Sequence, residues 1–166
     1  MTERQKYQLI RDIDGVEIRK YEPCVLADVF VNTNYENAGN LGFRSLVTYI
    51  SQNNIAMTAP VIQVQEPDNS WRVSFVMPAG MNISKMPLPK NSSVSLREIK
   101  EHFAAALSFK GYTSLERVRE MENRLLAILN RNKIDVVGDL QIARFDPPWK
   151  PGFMRHNEVI VEINYQ

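Results

Sequence analysis

The stretch Ile55-Ala56-Met57-Thr58-Ala59-Pro60-Val61 decides how this chain is read. It follows an amphipathic helix signal, with Phe43, Leu46, Val47 and Ile50 at helical spacing, and a polar turn, Ser51-Gln52-Asn53-Asn54. It leads into an alternating run, Val61-Ile62-Gln63-Val64-Gln65. Its small residues suit a place where backbone packs closely against another element. Pro60 has no N–H to donate and biases Ala59 toward extended backbone, so the segment is expected to enter a sheet at an edge or a bulge. The stretch therefore predicts a hinge from helix to sheet, not a catalytic motif.

Toward the N-terminus, Tyr7-Gln8-Leu9-Ile10 and Val16-Glu17-Ile18-Arg19-Lys20-Tyr21 flank Asp14-Gly15. Asp-Gly between strand-like runs predicts a hairpin, because glycine accepts the positive φ of the turn. Cys24 to Val31 reads as a third strand, and a helix is expected from about Tyr35 to Ile50, weakened in its first half by Gly39 and Gly42. Toward the C-terminus, Trp71 to Met77 is expected to pair with 61–65. The region 78–91 has neither period and carries Pro78, Gly80, Pro87 and Pro89, which reads as a connector or a functional loop.

The second half repeats that order. Val94 to Glu98 and Phe103 to Phe109 are strand-like, and a helix is expected from Ser114 to about Asn130. Thr113 and Glu116 have the spacing of a capping box, with Val118, Met121, Leu125 and Ile128 as the apolar stripe. Runs at 133–138, 140–145 and 157–163 follow, separated by the Pro-rich loop Asp146-Pro147-Pro148-Trp149-Lys150-Pro151-Gly152. Around its helix each half thus has the order strand, strand, helix, strand, strand, an internal repeat of element order. The expectation is a single α+β domain of two pseudo-symmetric repeats, about 7–78 and 93–165 with a connector at 79–92. These would form a distorted, mostly antiparallel eight-stranded barrel with both helices packed outside.

At 166 residues the chain is one domain by length, and its 44% hydrophobic and 23% charged residues are ordinary for a globular protein. A net charge of +1 and the absence of a Lys/Arg run argue against nucleic acid and against a membrane partner. No apolar run reaches the length of a membrane span, and the first residues carry no signal-like apolar core, so a cytoplasmic protein is expected. Cys24 is alone, which excludes an intrachain disulfide. His102 stands at a strand start without a second metal-type ligand near it in sequence. Met57, Met77, Met81 and Met86 could supply thioether ligands but ordinarily fill gaps in a core. Glu158 and Glu162 alternate in the last strand and would face one side together.

Taken in order, these landmarks resemble the SOUL haem-binding protein family. Gly15 to Tyr21 resembles its opening strand, and Ala56-Met57-Thr58-Ala59-Pro60-Val61 its central signature. Phe75-Val76-Met77-Pro78 with Pro87-Leu88-Pro89 resembles its mid-chain pair. Phe145-Asp146-Pro147-Pro148-Trp149, followed by Arg155, Asn157, Glu158 and Val159, resembles its C-terminal block. The resemblance implies a two-repeat α+β barrel, related in shape to effector-binding domains, that binds a tetrapyrrole non-covalently and has no agreed catalytic activity. Haem or another porphyrin is the implied ligand, and a haem carrier or buffer the implied role.

By matching position the resemblance nominates Asn40, Phe43, Arg44, Val47 and Thr48 on the first helix, and Trp149 and Lys150 on the Pro-rich loop. Arg44 and Lys150 are the cations available to propionates. Where some members carry a histidine in the opening strand, discussed as an axial ligand, this chain has Lys20. His156, close to the Pro-rich loop, is then the candidate axial ligand. Two other readings stand beside this one: a module for amphiphilic small molecules without an iron ligand, and a small hydrolase using a glutamate in a cleft.

Overall fold

The computed structural model describes residues 2–90, 93–147 and 149–166. The chain is α+β. Its strands in order are β1 (Glu3–Arg4), β2 (Tyr7–Ile13), β3 (Val16–Tyr21), β4 (Cys24–Val31), β5 (Thr58–Ala59), β6 (Val61–Gln65), β7 (Trp71–Val76), β8 (Val94–Ile99), β9 (His102–Lys110), β10 (Asp135–Val136), β11 (Gln141–Arg144) and β12 (His156–Asn164). Two α-helices, α1 (Tyr35–Gln52) and α2 (Leu115–Arg131), and two single 3-10 turns, Ile83–Lys85 and Gly152–Met154, complete the described elements. Twelve strands replace the eight expected, chiefly because β1, β5 and β10 are two residues long, too short to show any alternation. Neither helix is long and apolar enough to cross a membrane.

Two compact units result, and each takes strands from both halves of the sequence. Unit one holds residues 1–6 and 23–100; unit two holds 7–22 and 101–166. In unit one the antiparallel sheet runs β6-β7-β4-β8, and β1 adds a short parallel pairing to β5. In unit two it runs β2-β3-β9-β12-β11, with β10 on the far part of β12. The strand preceding each helix, β4 or β9, therefore pairs with the last long strand of its own half, β7 or β12. Its other edge takes the opening strand of the opposite half: β8 lies on β4, and β3 on β9.

In unit one, Asn34 caps α1 by accepting a hydrogen bond from the Asn37 backbone N–H at 2.9 Å. The helix buries Tyr35, Ala38, Gly42, Leu46, Tyr49 and Ile50, a 3.6-residue stripe, against Val25, Ala27 and Val29 of β4 and Val73 and Phe75 of β7. Gly42 is the close-approach point. A Cβ placed there would stand 2.6 Å from the Val73 side chain, so only glycine lets the helix lie this near the sheet. The glycine that costs the helix propensity is repaid in packing. Met77 and Met86 belong to the same core and Met81 packs on it, so three of the four candidate thioethers fill apolar gaps. Beyond α1, the Ala59–Pro60 bond is cis and the Thr58 hydroxyl donates to the Val76 carbonyl, which fastens the Met-Thr-Ala-Pro segment to β7.

In unit two the Asp14-Gly15 turn has φ of 53° and 89°, the positive pair that the hairpin between β2 and β3 needs. The α2 N-cap is Ser114, whose hydroxyl accepts from the Arg117 N–H at 3.2 Å; Thr113 lies outside the helix and its hydroxyl accepts from Arg144 Nε instead. The expected cap is thus displaced by one residue, because Ser114 has the extended backbone that a cap requires, and no capping box forms, since the third residue after it is Arg117. Val118, Met121, Leu125, Ile128 and Leu129 form the buried face of α2.

Candidate functional site

On α1, Asn40, Arg44 and Thr48 stand four residues apart and are all exposed, forming one outward stripe. Thr48 Oγ1 donates to the Arg44 carbonyl at 3.0 Å, so its hydroxyl is turned along the helix. Phe43 and Val47 are half-buried beside that stripe. Both pack on the unit-one core, and Phe43 meets Phe75 edge-on with ring centroids 5.5 Å apart. Their inner surfaces therefore serve packing, and only their outer edges are free to meet a ligand.

The Pro-rich loop belongs to unit two and is tied down from several sides. Asp146 accepts from Lys150 Nζ at 3.0 Å and from the His156 N–H at 2.5 Å. Arg155 Nε donates to the Lys150 carbonyl at 2.9 Å, and the Gly111 N–H to the Arg155 carbonyl at 2.9 Å. Asn157 Nδ2 then donates to the Gly111 carbonyl at 2.9 Å. Burial acts to raise the Asp146 carboxyl, but the His156 N–H and the Lys150 ammonium more than offset it and hold Asp146 below the usual carboxylate range. On this frame Trp149 is 84% exposed, Phe153 67%, Tyr112 70% and Met154 49%. The Tyr112 ring lies over Gly152, where any Cβ would come within 2.3 Å of it. The hydrogen-bonded loop thus presents three large apolar side chains to solvent, and Tyr112, from the segment after β9, adds a fourth. Lys150, the cation nominated for propionates, is already paired with Asp146.

Beside that loop, the sheet face of unit two turned away from α2 carries a buried polar network. Arg19 and Glu158, both nearly inaccessible, meet in two parallel hydrogen bonds of 2.7 Å. Arg19 also donates to Glu17 at 2.9 and 2.7 Å and to the Tyr21 hydroxyl at 2.8 Å. Its guanidinium lies 4.2 Å from the Tyr7 ring centroid. Ser108 Oγ donates to Glu158 Oε2 at 3.1 Å, and His156 Nε2 is 3.5 Å from the same oxygen. Burial alone would raise the Glu158 carboxyl; the hydrogen bonds and charge of Arg19, helped by His156 and Ser108, reverse this and hold it below the ordinary range. Tyr21 is pushed well above the usual phenol range by burial.

Unit one carries the same three residue types on the corresponding strands. Asp28 of β4 is buried, accepts from Ser74 Oγ of β7 at 2.5 Å, and meets Arg97 Nε of β8 at 2.8 Å. Asp28 and Ser74 are register partners, as are Ser108 and Glu158. The acid and the hydroxyl have changed places between the units while an arginine arrives from the exchanged strand in both.

His156 opens β12, half-buried, with its ring 4.9 Å from that of Phe145. His102 is likewise half-buried and stacks on Tyr21. Among the described residues no three His, Cys, Asp or Glu side chains are grouped to hold a metal ion. Sequence reasoning nominated Trp149, Lys150 and His156 but missed Phe153 and Met154 of the same loop, and Tyr112, which the Gly152 contact brings to it. It also missed Arg19, because strand alternation places 17, 19 and 21 on the polar phase, the phase that usually faces water.

A sequence model described as SOUL heme-binding protein matches residues 2–162. No curated protein matches the chain. Among solved structures, the C-terminal domain of EcmrR aligns with a TM-score of 0.64 at 13% identity, covering 96% of this chain and 99% of that one. A hydrolase from Listeria innocua aligns with a TM-score of 0.62 at 10% identity, covering 93% and 94%. A protein solved bound to tetraphenylphosphonium aligns at 0.51 and 7% identity, covering 96% and 94%. At such identities these neighbours are similar in fold alone.

Proposed function

Because the chain belongs to the SOUL haem-binding protein family, we propose that it binds haem or a related tetrapyrrole non-covalently and serves as a carrier or buffer. The observation that carries this reading is the rigid loop of unit two. Trp149, Phe153 and Met154 stand exposed there, and a flat macrocycle is the kind of ligand whose apolar faces such side chains cover. Macrocycle burial supplies the affinity. Lys150 meets a propionate by exchanging its Asp146 partner for the ligand carboxylate. On unit one, Arg44 offers a second cation, with Asn40 and Thr48 as hydrogen-bonding neighbours and the edges of Phe43 and Val47 as apolar ones. The two surfaces are tested separately.

The donor set fits the macrocycle and its carboxylates better than it fits iron. His156 is drawn to Glu158 and packed on Phe145, so its ring is already engaged in the fold. This favours binding in which the iron has no protein ligand, and it extends the reading to other amphiphilic small molecules, as in a general effector-binding module. When haem is bound, the chemistry it supplies is that of its iron; the chain's residues bind and orient the ring. Glu158, the buried acid of unit two, is locked in two hydrogen bonds to Arg19 and is not free to exchange a proton with a substrate, so no catalytic role is proposed for it.

Titration with hemin and with metal-free protoporphyrin tests the proposal. Saturable Soret changes at micromolar ligand are expected, with similar affinities for both compounds and no change of Soret position in His156→Ala. Trp149→Ala is expected to weaken binding roughly tenfold, the loss of one well-placed aromatic contact. Arg44→Ala and Lys150→Ala then test each surface by itself, the variant that weakens binding identifying the surface that holds the carboxylates. Absence of saturation would end the tetrapyrrole reading, and a clear preference for hemin would restore an iron ligand.

A further inference from the structure

The same loop cluster has a feature that tetrapyrrole binding does not require. Its exposed apolar side chains lie in the segments that follow β9 and precede β12, and those segments also carry cations. The segments 110–116 and 144–155 contain Lys110, Arg144, Lys150 and Arg155 against Glu116 and Asp146, four positive and two negative groups, net +2. The whole chain has 20 basic and 19 acidic residues, net +1, so positive charge is concentrated here although the total conceals it. Lys110 is exposed, and Lys150 is held within the loop by Asp146.

We propose that this loop tip is a peripheral membrane-docking element: Trp149, Phe153, Met154 and Tyr112 enter the headgroup region of a bilayer, and Lys110, Lys150 and Arg155 meet its anionic lipids. Trp and Tyr are the residues that favour the membrane interface, where an amphipathic ring keeps one end wet. Affinity for such a surface grows with the apolar area inserted and with attraction to anionic headgroups, and both terms are present here. The exposed rings and thioether together offer on the order of 500 Å², at the upper end of what a monomer leaves uncovered without purpose. The occupant is inferred from the pairing of exposed aromatic rings with local positive charge, which an anionic bilayer complements. The loop's hydrogen bonds hold it in this form beforehand, so insertion orders few additional groups. This inference does not depend on tetrapyrrole binding.

Flotation with tetrapyrrole-free vesicles tests it, using phosphatidylcholine alone and with roughly one third phosphatidylserine. The chain has two tryptophans and Trp71 is buried, so the shift in emission on binding reports Trp149. Co-flotation with the anionic vesicles, a blue shift of that emission, and release on raising salt from about 0.15 M to about 0.5 M are expected. Trp149→Ser with Phe153→Ser should reduce binding at least roughly tenfold, and Lys110→Glu should reduce it on anionic vesicles only. Both sites are exposed, so an unchanged thermal melt confirms that each variant is folded. No flotation, or equal flotation of the wild type and the double variant, overturns the proposal. Sedimentation showing self-association that the double variant abolishes also overturns it, and assigns the patch to a second copy of the chain.

Discussion

Removing the charge of Glu158 would leave the Arg19 guanidinium buried with only the partly exposed Glu17 to balance it. Breaking one partner of a buried pair costs about 3–5 kcal/mol, far more than the pair contributes relative to an apolar replacement. Glu158→Gln is therefore expected to lower stability by about that amount in urea unfolding. The variant also changes the acid limb. Because the folded carboxyl titrates below its unfolded value of about 4.3, its contribution is fully present above that pH and is lost as pH falls through the folded value. Melting temperature should thus depend less steeply on pH below about 5 in Glu158→Gln than in the wild type. An unchanged slope would show that other carboxylates govern acid unfolding. The acid itself was visible in sequence as a member of a terminal strand; its partner 139 positions away was not. Long-range pairing leaves no local period, and Arg19 sits where alternation predicts a solvated residue.

At the level of elements, local chemistry was legible and its exact placement was not. The apolar stripes of α1 and α2 and the Asp14-Gly15 turn follow from spacing and from glycine's freedom at positive φ. The start of α2 did not, because Thr113 and Ser114 are both good caps and only the backbone chooses between them. That choice is measurable. Ser114→Ala should destabilise by about 1 kcal/mol through loss of the bond to the Arg117 N–H, and Thr113→Ala by less, since its hydroxyl only receives Arg144. Equal losses would return the cap to Thr113. The loop of the candidate site shows the same division. Trp149 and Lys150 could be nominated from their position in the Pro-rich segment, but Tyr112 joins the loop by lying on Gly152, a contact between segments 40 positions apart.

Across the whole molecule, each sheet is completed by the opening strand of the other half of the sequence, β8 on β4 and β3 on β9. The repeat of element order is readable along the chain; the exchange is not, since either pairing satisfies the same alternation. A chain cut within 79–90 is expected to give two fragments that are each unfolded alone, because each lacks a strand its sheet requires. Mixed, they should regain the secondary structure and single cooperative melt of the intact chain, seen by circular dichroism. Cooperative melting of either fragment by itself would show that a half can close its sheet with its own opening strand.

The exchange also says where such a gene can be recut. The proline-rich connector looks like the natural joint, yet a crossover there separates strands from the sheets they finish. The boundaries that keep each unit whole fall at 6/7, 22/23 and 100/101, between β1 and β2, between β3 and β4 and between β8 and β9. Chimeras of related chains joined at those three seams inherit intact sheets, each with its own acid, hydroxyl and arginine. Joined in the middle, a chimera would pair an arginine from one parent with an acid chosen in the other.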